Sequence, residues 1–366
     1  MRVLLVNDYY SKVGGSEVYF YNLANLLKSK GHEVYTLTFS NFSLFSKYSY
    51  VIKRPHSNFG KFLSLYFINP YVYLKLRKVV KEINPDIIHL NNIYENHYNI
   101  ILSCIGYPVV KSVHDIRDID VKYNKISPYI TAKSKFFVSS RTIKAFISPS
   151  FFLKGKMEEF GYDKVVRLPH FIDFTKQIKL PDERKKIILY CGRLSEEKGV
   201  IYLLKSFESI NKKIPYSRLY IVGDGMEKDN LARYVKSKSI SNVTFCGKVD
   251  NLDIGKFYMM ASVVVIPSII DENLPLVALE AMSFSKPIIA FSVGGLKELV
   301  SNGKNGFLVS KGNVKLLSEN IEKLLKNKGL AKKIGENGRK FIMEDQFSAE
   351  FHYSTLMGVY NGAINS

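Results

Sequence analysis

Short apolar runs alternate along the chain with segments in which hydrophobic residues recur at helical spacing. The runs are rich in β-branched side chains, which is typical of parallel strands covered on both faces. The pattern predicts strands at 2–7, 33–39, 86–91, 109–114, 144–149, 186–191, 218–223, 242–247, 262–267 and 286–291, and helices at 16–30, 70–83, 198–211, 227–238 and 313–326. Such alternation predicts an α/β fold with doubly wound parallel sheets.

The alternation stops and restarts near 174–184, a polar stretch that contains Pro181. A chain of 366 residues is too long for one typical core and fits two domains of roughly 170 to 190 residues. We therefore predict one sheet-containing domain at 1–174, a second at 175–345 and a terminal segment at 346–366.

The composition is that of an ordinary soluble protein, with 46% hydrophobic and 23% charged residues. No apolar run approaches the roughly 18 residues of a membrane span, and the N-terminus resembles a strand more than a signal peptide. Cys104, Cys191 and Cys246 lie singly in apolar strings without metal-ligand spacing. These features predict a cytoplasmic protein with reduced thiols.

The net charge of +20 leans toward the N-terminal half, where residues 1–180 hold 26 Lys and Arg against 13 Asp and Glu. The basic residues are dispersed, which disfavours nucleic acid as a partner and leaves an anionic membrane or a plain solvated surface. The charge-free, aromatic-rich segment 62–74 lies between Lys61 and Lys75. It fits either a membrane interface or a packed helix pair broken at Pro70.

The distinctive polar and glycine residues follow the predicted strands. In open parallel sheets, ligands bind beyond the carboxyl ends of the strands. Two sheets with facing carboxyl edges would bring the following loops to one cleft: Gly14 to Glu17, His114-Asp115, Gly192 to Lys198, Gly223 to Gly225, Glu272, and Gly294-Gly295.

The most informative segment, 271–282, reads DENLPLVALEAM. Glu272 precedes a predicted helix, and Glu280 lies about two turns along it. Carboxylates suit sugar hydroxyls, while a helix N-terminus suits phosphate. The segment therefore indicates a ligand that carries both groups, against the alternative of an ordinary acidic helix start.

Two cations, Arg193 and Lys198, bracket a short loop beside a glycine. A forked guanidinium and a point-charge ammonium suit a diphosphate without a metal, and the alternative is a pair of surface charges. The glycine loops lack the G-x-G-x-x-G spacing that would indicate a nicotinamide cofactor, and the sequence shows no acidic cluster that would indicate Mg²⁺. His114, at a strand end, is either a structural hydrogen-bonding residue or part of the site.

Read together, these segments resemble glycosyltransferase family 4, whose members are retaining sugar-nucleotide enzymes with the GT-B fold of two facing Rossmann-like domains. The resemblance covers nearly all of 1–310. It rests on the segments NDYYSKVGGSEVYFYNLANLLKSKGHEV, INPDIIHLN, SVHD, CGRLSEEKG, IVGDG, DENLPLVALEAM and SKPIIAFSVGGLKELV.

The resemblance implies a role for each matching residue. Arg193 and Lys198 would hold the donor diphosphate, Glu272 the donor-sugar hydroxyls and Glu280 the ribose, while His114 would line the acceptor side. These implied catalytic residues are joined by an implied donor-binding set: Gly14, Gly15, Gly192, Gly223, Lys248, Val249, Asn273, Leu274, Pro275, Leu276, Val277 and Glu280. Segment 346–366 would be a helix that crosses back to the N-terminal domain.

Two departures from the family pattern are visible. Asn273 stands where a glycine is common, and His170-Phe171 replaces a common Asn-Gly. They leave the donor sugar open and change a contact near the linker.

The activity implied by the resemblance is retaining transfer of a sugar from a nucleotide sugar to a hydroxyl of a cell-surface glycan or a lipid-linked precursor. A UDP-sugar is favoured over a GDP-sugar, and neither a cofactor nor a metal is expected. The protein would be cytoplasmic, with peripheral attachment at the inner face of the plasma membrane left open. The alternatives are a nucleotide-sugar epimerase of the same fold and a non-catalytic sugar-nucleotide-binding protein.

Overall fold

The computed structural model describes residues 1–9, 14–41, 44–55, 57–58, 60, 68–93, 97–116, 142–172, 186–249 and 253–366. They form two compact units, which we call unit 1 (Met1–His170 with Ala349–Ser366) and unit 2 (Phe171–Ser348). The predicted boundary at 174/175 lies outside the described residues. The terminal segment falls in unit 1 from Ala349 onward.

Unit 1 is built on a sheet in the order β3-β4-β2-β1-β5-β6-β7-β8, in which all neighbours are parallel except β3 and β4. The strands are β1 Arg2–Val6, β2 Glu33–Ser40, β3 Leu44–Phe45, β4 Ser49–Lys53, β5 Ile87–Leu90, β6 Val109–Ser112, β7 Ala145–Ser148 and β8 Val165–Arg167. The helices are α1 Gly15–Ser29, α2 Pro70–Ile83, α3 His97–Ser103, α4 Phe151–Glu159 and α12 Ala349–Ile364.

Unit 2 is built on a parallel sheet in the order β11-β10-β9-β12-β13-β14. Its strands are β9 Lys186–Cys191, β10 Ser217–Val222, β11 Val243–Gly247, β12 Val263–Ile266, β13 Ile288–Phe291 and β14 Gly306–Val309. Its helices are α5 Val200–Lys213, α6 Lys228–Ser237, α7 Ile254–Met260, α8 Leu276–Ser283, α9 Leu296–Leu299, α10 Val314–Lys326 and α11 Lys328–Ile342, with short 3₁₀ turns at Glu196–Lys198 and Asp345–Phe347.

Both sheets have the Rossmann-like strand arrangement, because the first strand of each lies in the middle and the order reverses beside it. The reversal, or switch point, falls between β1 and β5 in unit 1 and between β9 and β12 in unit 2. The central strands are fully buried, since helices cover both faces. The prediction of two doubly wound parallel sheets, the architecture of the GT-B fold, is confirmed.

Some local predictions differ from the structure. Pro70 is the first residue of α2, where the Asn69 side chain accepts a hydrogen bond from Val72 N at 3.3 Å, and the residues that would hold the other helix of the pair lie outside the described residues. Proline suits the first helical position because that residue needs no intrahelical donor. Part of the segment 62–74, residues 62–67, lies outside the described residues. Glu280 is the fifth residue of α8, just past its first turn and not two turns along.

Helix α5 starts at Val200, two residues later than predicted, because Gly199 takes a left-handed conformation with φ +65°. The periodicity analysis did not single out the strands β3, β4, β8 and β14 or the helices α3, α4, α7, α9 and α11.

Candidate active site

An ion pair spans the switch point of unit 2. Lys198, from the turn after β9, donates to Oε1 of Glu272, from the loop after β12, at 2.6 Å. The side chains are only 22% and 13% exposed, respectively. Ser268 Oγ donates to the same carboxylate oxygen at 2.5 Å. Two residues that sequence analysis assigned to one ligand therefore lie in direct contact.

Backbone contacts fix the loop that carries Glu272. Gly295 N donates to Glu272 O at 2.6 Å, and Gly294 N donates to Asp271 Oδ1 at 2.9 Å. A Cβ at Gly295 would lie 1.8 Å from Asn273 O, so only glycine allows this close approach. The loop is also tied to the Lys198 turn, because Ile269 N donates to Glu197 O at 2.9 Å. The carboxylate consequently stands on a backbone with little room to move.

The Arg193 side chain is more exposed than that of Lys198. Its side chain is 52% exposed and pairs with Glu197 at 3.1 Å, so the guanidinium remains accessible to an anion. The backbone beside it is tightly packed, because a Cβ at Gly223 would lie 1.8 Å from Gly192 O. The ends of β9 and β10 therefore meet beneath Arg193 by direct backbone contact.

Helix α8 starts directly after the Glu272 loop. Its N-cap residue Pro275 provides no side-chain cap, and the first N–H groups of a helix have no acceptor within it. Leu276 and Val277, in that first turn, are half-buried, and the preceding Leu274 is buried. This arrangement places positive helix-dipole charge beside the Lys198–Glu272 pair, as anion binding requires.

Glu280 is held by a buried tyrosine. Tyr258 OH donates to Glu280 Oε2 at 2.7 Å, and its ring stacks on Phe284 with centroids 5.5 Å apart. Tyr258 is fully buried, and burial, followed by the Glu280 charge, raises its pKa well above the usual value. Tyr258 is thus a neutral donor that orients Glu280. The other two predicted residues of this region are Lys248, which is exposed, and Val249, which is half-buried after β11.

Neutral amides span the switch point of unit 1. Asn7, directly after β1, accepts at Oδ1 from Asn91 Nδ2 at 3.3 Å and from Asn92 N at 3.2 Å. Asn91, directly after β5, also accepts at Oδ1 from His114 Nε2 at 2.6 Å. Since a carbonyl oxygen only accepts, the neutral His114 ring carries its proton on Nε2.

The start of α1 joins this amide network. Asn91 Nδ2 donates to Ser16 O at 3.2 Å, and Asn92 Nδ2 donates to the buried carboxylate of Glu17 at 3.1 Å. Gly14 is the N-cap of α1 in an extended conformation, and Gly15 is the first helical residue. The structure therefore brings the predicted Gly14-Gly15 loop and His114 together through amide side chains.

Three buried histidines (His89, His170 and His352), the half-buried His114 and two tyrosines continue the network inside unit 1. Tyr19 OH donates to His352 Nε2 at 3.0 Å, because His352 Nδ1 donates to Pro169 O at 2.8 Å. The His114 and His170 rings stack 5.4 Å apart at 19°. His89 forms hydrogen bonds through Nδ1 with Tyr360 OH at 2.7 Å and through Nε2 with Ser112 Oγ at 2.8 Å.

Burial keeps these rings neutral. It lowers the pKa of His89 and of His114 to about 3 and that of His352 to about 4, and it lowers the pKa of His170 well below its ordinary value. Neighbouring rings and Lys111 add to the effect at His114. A neutral His114 can hydrogen-bond a hydroxyl but cannot pair with phosphate as a cation.

The sequence analysis missed several residues of these two edges. Asn91, Tyr19, Ser268 and Tyr258 each make a hydrogen bond to the network or to a predicted site residue. Asn91 and Ser268 follow strands within one or two residues, so the strand-end rule could have found them. That the edges of the two units form one cleft stays a prediction.

Within the described part of the chain, no group of three His, Cys, Asp or Glu side chains is placed to hold a metal ion. No described helix has the length and apolar character needed to span a bilayer.

Comparison with known proteins gives two adjoining family matches. Residues 13–176 match the model described as Glycosyltransferase Family 4, and residues 171–341 match the model described as Glycosyl transferases group 1. An uncharacterized glycosyltransferase of Methanocaldococcus jannaschii is 28% identical over 98% of this chain and 97% of its own length.

Two further matches are informative. A capsular polysaccharide biosynthesis glycosyltransferase of Staphylococcus aureus is 34% identical over 48% of this chain and 46% of its own length. The crystal structure of the Anabaena protein HepE, in complex with UDP and glucose, has a TM-score of 0.81 at 18% identity and covers 99% of both chains.

Proposed function

We propose that this chain, which belongs to the group 1 and family 4 glycosyltransferases, moves a sugar from a UDP-sugar to a hydroxyl of a cell-surface glycan or a lipid-linked glycan precursor. The observation that carries the proposal is the Lys198–Glu272 pair at the switch point of unit 2, beside the start of α8. The pair places a cation that suits phosphate next to a carboxylate that suits sugar hydroxyls. The UDP complex of HepE and the capsular role of the S. aureus relative support the choice of donor and acceptor.

In the proposed reaction, the bond between the anomeric carbon and the diphosphate oxygen breaks, and its electron pair moves to that oxygen. Arg193, Lys198 and the N-terminus of α8 offset the growing charge. The acceptor hydroxyl attacks the face that the diphosphate leaves, and its proton passes to a diphosphate oxygen. The anomeric configuration is therefore retained.

Lys198 forms an ion pair with Glu272 in this structure, so the diphosphate must compete with that carboxylate for the ammonium. The flexible ammonium of Lys198 would turn from the carboxylate to the diphosphate when the donor binds. Glu280, oriented by Tyr258, would accept hydrogen bonds from the ribose hydroxyls. Lys248 and Val249 would lie near the base. His114 and the amides of unit 1 would take the sugar or acceptor hydroxyls, because neutral groups suit hydroxyls.

The test is a nucleotide-release screen across UDP- and GDP-sugars, followed by acceptor trials with the best donor. We expect release from one UDP-sugar to exceed release from every GDP-sugar, and NMR of the first product to show retention. An inverted product contradicts the proposal. Incubating the donor alone and finding an epimeric sugar would favour an epimerase. Nucleotide-sugar binding without turnover would favour a binding protein.

An anionic membrane surface is the partner that we propose for unit 1. Ile68, Tyr71 and Leu74, at the start of α2, are 48%, 53% and 64% exposed. Lys78 and Lys81 follow on the same helix face and are also exposed. Apolar side chains beside lysines suit the interface of an anionic bilayer.

Vesicle flotation tests this surface. Wild type should float with phosphatidylglycerol vesicles and not with phosphatidylcholine vesicles, and Y71S/L74S should lose most of the binding. The matched control is Y216S/M226S, which removes two apolar side chains of unit 2 that are 66% and 92% exposed. Equal flotation of both double variants, or no binding by wild type, would refute the membrane proposal.

A further inference from the structure

Ser268 is a buried serine that touches the central carboxylate of unit 2. It is 2% exposed, and its Oγ donates to Glu272 Oε1 at 2.5 Å. Lys198 Nζ occupies a second lone pair of the same oxygen at 2.6 Å. No described residue donates to Oε2 of Glu272. The carboxylate thus has one oxygen bound by two donors and one oxygen available.

The backbone of this loop is already fixed by the contact of Gly295 N with Glu272 O. What remains adjustable is the direction of the Glu272 side chain. Two donors on Oε1 set that direction, and with it the direction of Oε2. A carboxylate held this way presents a single acceptor with a defined geometry.

The two donors differ in how a diphosphate would affect them. Lys198 is a flexible cation, so an incoming phosphate attracts it away from Glu272. Ser268 is neutral, short and buried, so a phosphate neither attracts nor reaches it. Once the lysine turns to the phosphate, the serine hydroxyl is the donor that stays on Oε1.

We propose that Ser268 is a positioning residue that holds Glu272 Oε1 while Lys198 engages the donor diphosphate, so that Oε2 accepts a hydrogen bond from the donor sugar. This inference rests on the proposed function. It predicts that Ser268 matters for the sugar half of the donor and not for the nucleotide half. A merely structural serine would affect both halves alike.

The experiment measures the dissociation constants of UDP and of the UDP-sugar selected by the release screen, together with kcat and KM. Ser268→Ala should weaken UDP-sugar binding about 10-fold or more, the size expected for a hydrogen bond to a charged group, and should change UDP binding less than about twofold. Ser268→Cys, which keeps a similar volume but is a weak donor, should show the same selective loss. Ser268→Thr keeps the hydroxyl and should restore sugar affinity.

The matched control is Ser206→Ala, which removes another buried hydroxyl of unit 2, whose single hydrogen has two carbonyl acceptors in reach, Tyr202 O at 2.9 Å and Val314 O at 3.1 Å. It should leave both dissociation constants unchanged. In a Glu272→Ala background, Ser268→Ala should add no further loss, because the serine acts through the carboxylate.

Several results would overturn the inference. They are equal weakening of UDP and UDP-sugar by Ser268→Ala, no weakening of either, or full additivity with Glu272→Ala. The proposed function fails differently, since wild type would then bind no nucleotide sugar of the screen. The two failures are therefore distinguishable by wild type alone.

Discussion

The two units place different chemistry at the same topological position. At the switch point of unit 2, a cation meets a carboxylate, Lys198 to Glu272 at 2.6 Å. At the switch point of unit 1, two amides meet, since Asn91 donates a hydrogen bond to Asn7 at 3.3 Å. Asn91 also accepts a hydrogen bond from His114. One strand arrangement therefore supports an edge built on an ion pair and an edge built mainly on amides, which the buried carboxylate of Glu17 joins.

The histidines sharpen the contrast. The sequence holds seven, and none lies in 171–348. Unit 1 buries four of them (His89, His97, His170 and His352) and half-buries His114, whereas the candidate site residues of unit 2 are Lys, Arg and Glu, all partly exposed. The ion-pair edge of unit 2, with its cations, suits a diphosphate, and the amide edge of unit 1 suits hydroxyls. The division of chemistry matches the two halves of a transfer from a nucleotide sugar to an alcohol.

Removing the cation of unit 2 gives the largest expected effect. Lys198→Ala should lower kcat/KM by roughly 10³-fold, since it deletes a charge that stabilises the departing diphosphate and leaves Glu272 unpaired. Arg193→Ala should also lose activity by orders of magnitude. Steady-state kinetics with the screened donor measure both. The control Lys256→Ala removes an exposed lysine with an equally short ion pair, to Asp253 at 2.6 Å, and should keep full activity. Near-normal turnover of Lys198→Ala and Arg193→Ala would remove the distinction between the two edges.

The close backbone contact between Gly295 and the loop that carries Glu272 gives the second-largest expected effect. Gly295→Ala would place Cβ 1.8 Å from Asn273 O, so the Glu272 loop must shift. We expect a loss of about 2 to 3 kcal/mol in the free energy of unfolding, together with lost activity. Chemical denaturation measures it. Gly358→Ala on α12 meets no atom within 4 Å and should be neutral or slightly stabilising. Equal stability of the two variants would contradict the close approach.

Acidification should destabilise unit 1 more than unit 2. The folded pKa of His352 is about 4, whereas an unfolded histidine titrates near 6.5. Above pH 6.5 the ring is neutral in both states and contributes no pH dependence. As pH falls below 6.5, the unfolded chain binds the proton first, so unit 1 loses stability. His352→Gln should reduce the loss between pH 7 and pH 5.5 by about 1 kcal/mol.

Hydrogen-exchange mass spectrometry, corrected for intrinsic exchange rates, follows each unit separately. Peptides of unit 1 should lose protection at pH 5.5, while those of unit 2, which has no histidine, should change less. Equal changes in both units, or an unchanged pH dependence in His352→Gln, would show that the buried rings do not set the acid response.

Apolar runs predicted even the four-residue central strands, because helices cover both of their faces. Helical periodicity predicted α1 but not α11, which is equally long. The bounds of α2, residues 70–83, agree with the structure, and the motif loops fall at strand ends as expected. The partners of the site residues could not be predicted, because they depend on side-chain direction. That Ser268 and Lys198 share one oxygen of Glu272 follows from the packing of loops after β9 and β12, which no spacing in the sequence encodes.

The smallest effect compares two tyrosines, one in each unit. Tyr258 and Tyr360 are both fully buried, and the hydroxyl of each forms a hydrogen bond of 2.7 Å, with Glu280 and with His89 respectively. Tyr258→Phe should weaken UDP binding about fivefold, because Glu280 loses the donor that orients it toward the ribose. Tyr360→Phe should leave UDP affinity unchanged and lower thermal stability only. Calorimetric titration with UDP and thermal melts measure both. If the two variants weakened UDP equally, the nucleotide would not be the ligand of unit 2 alone.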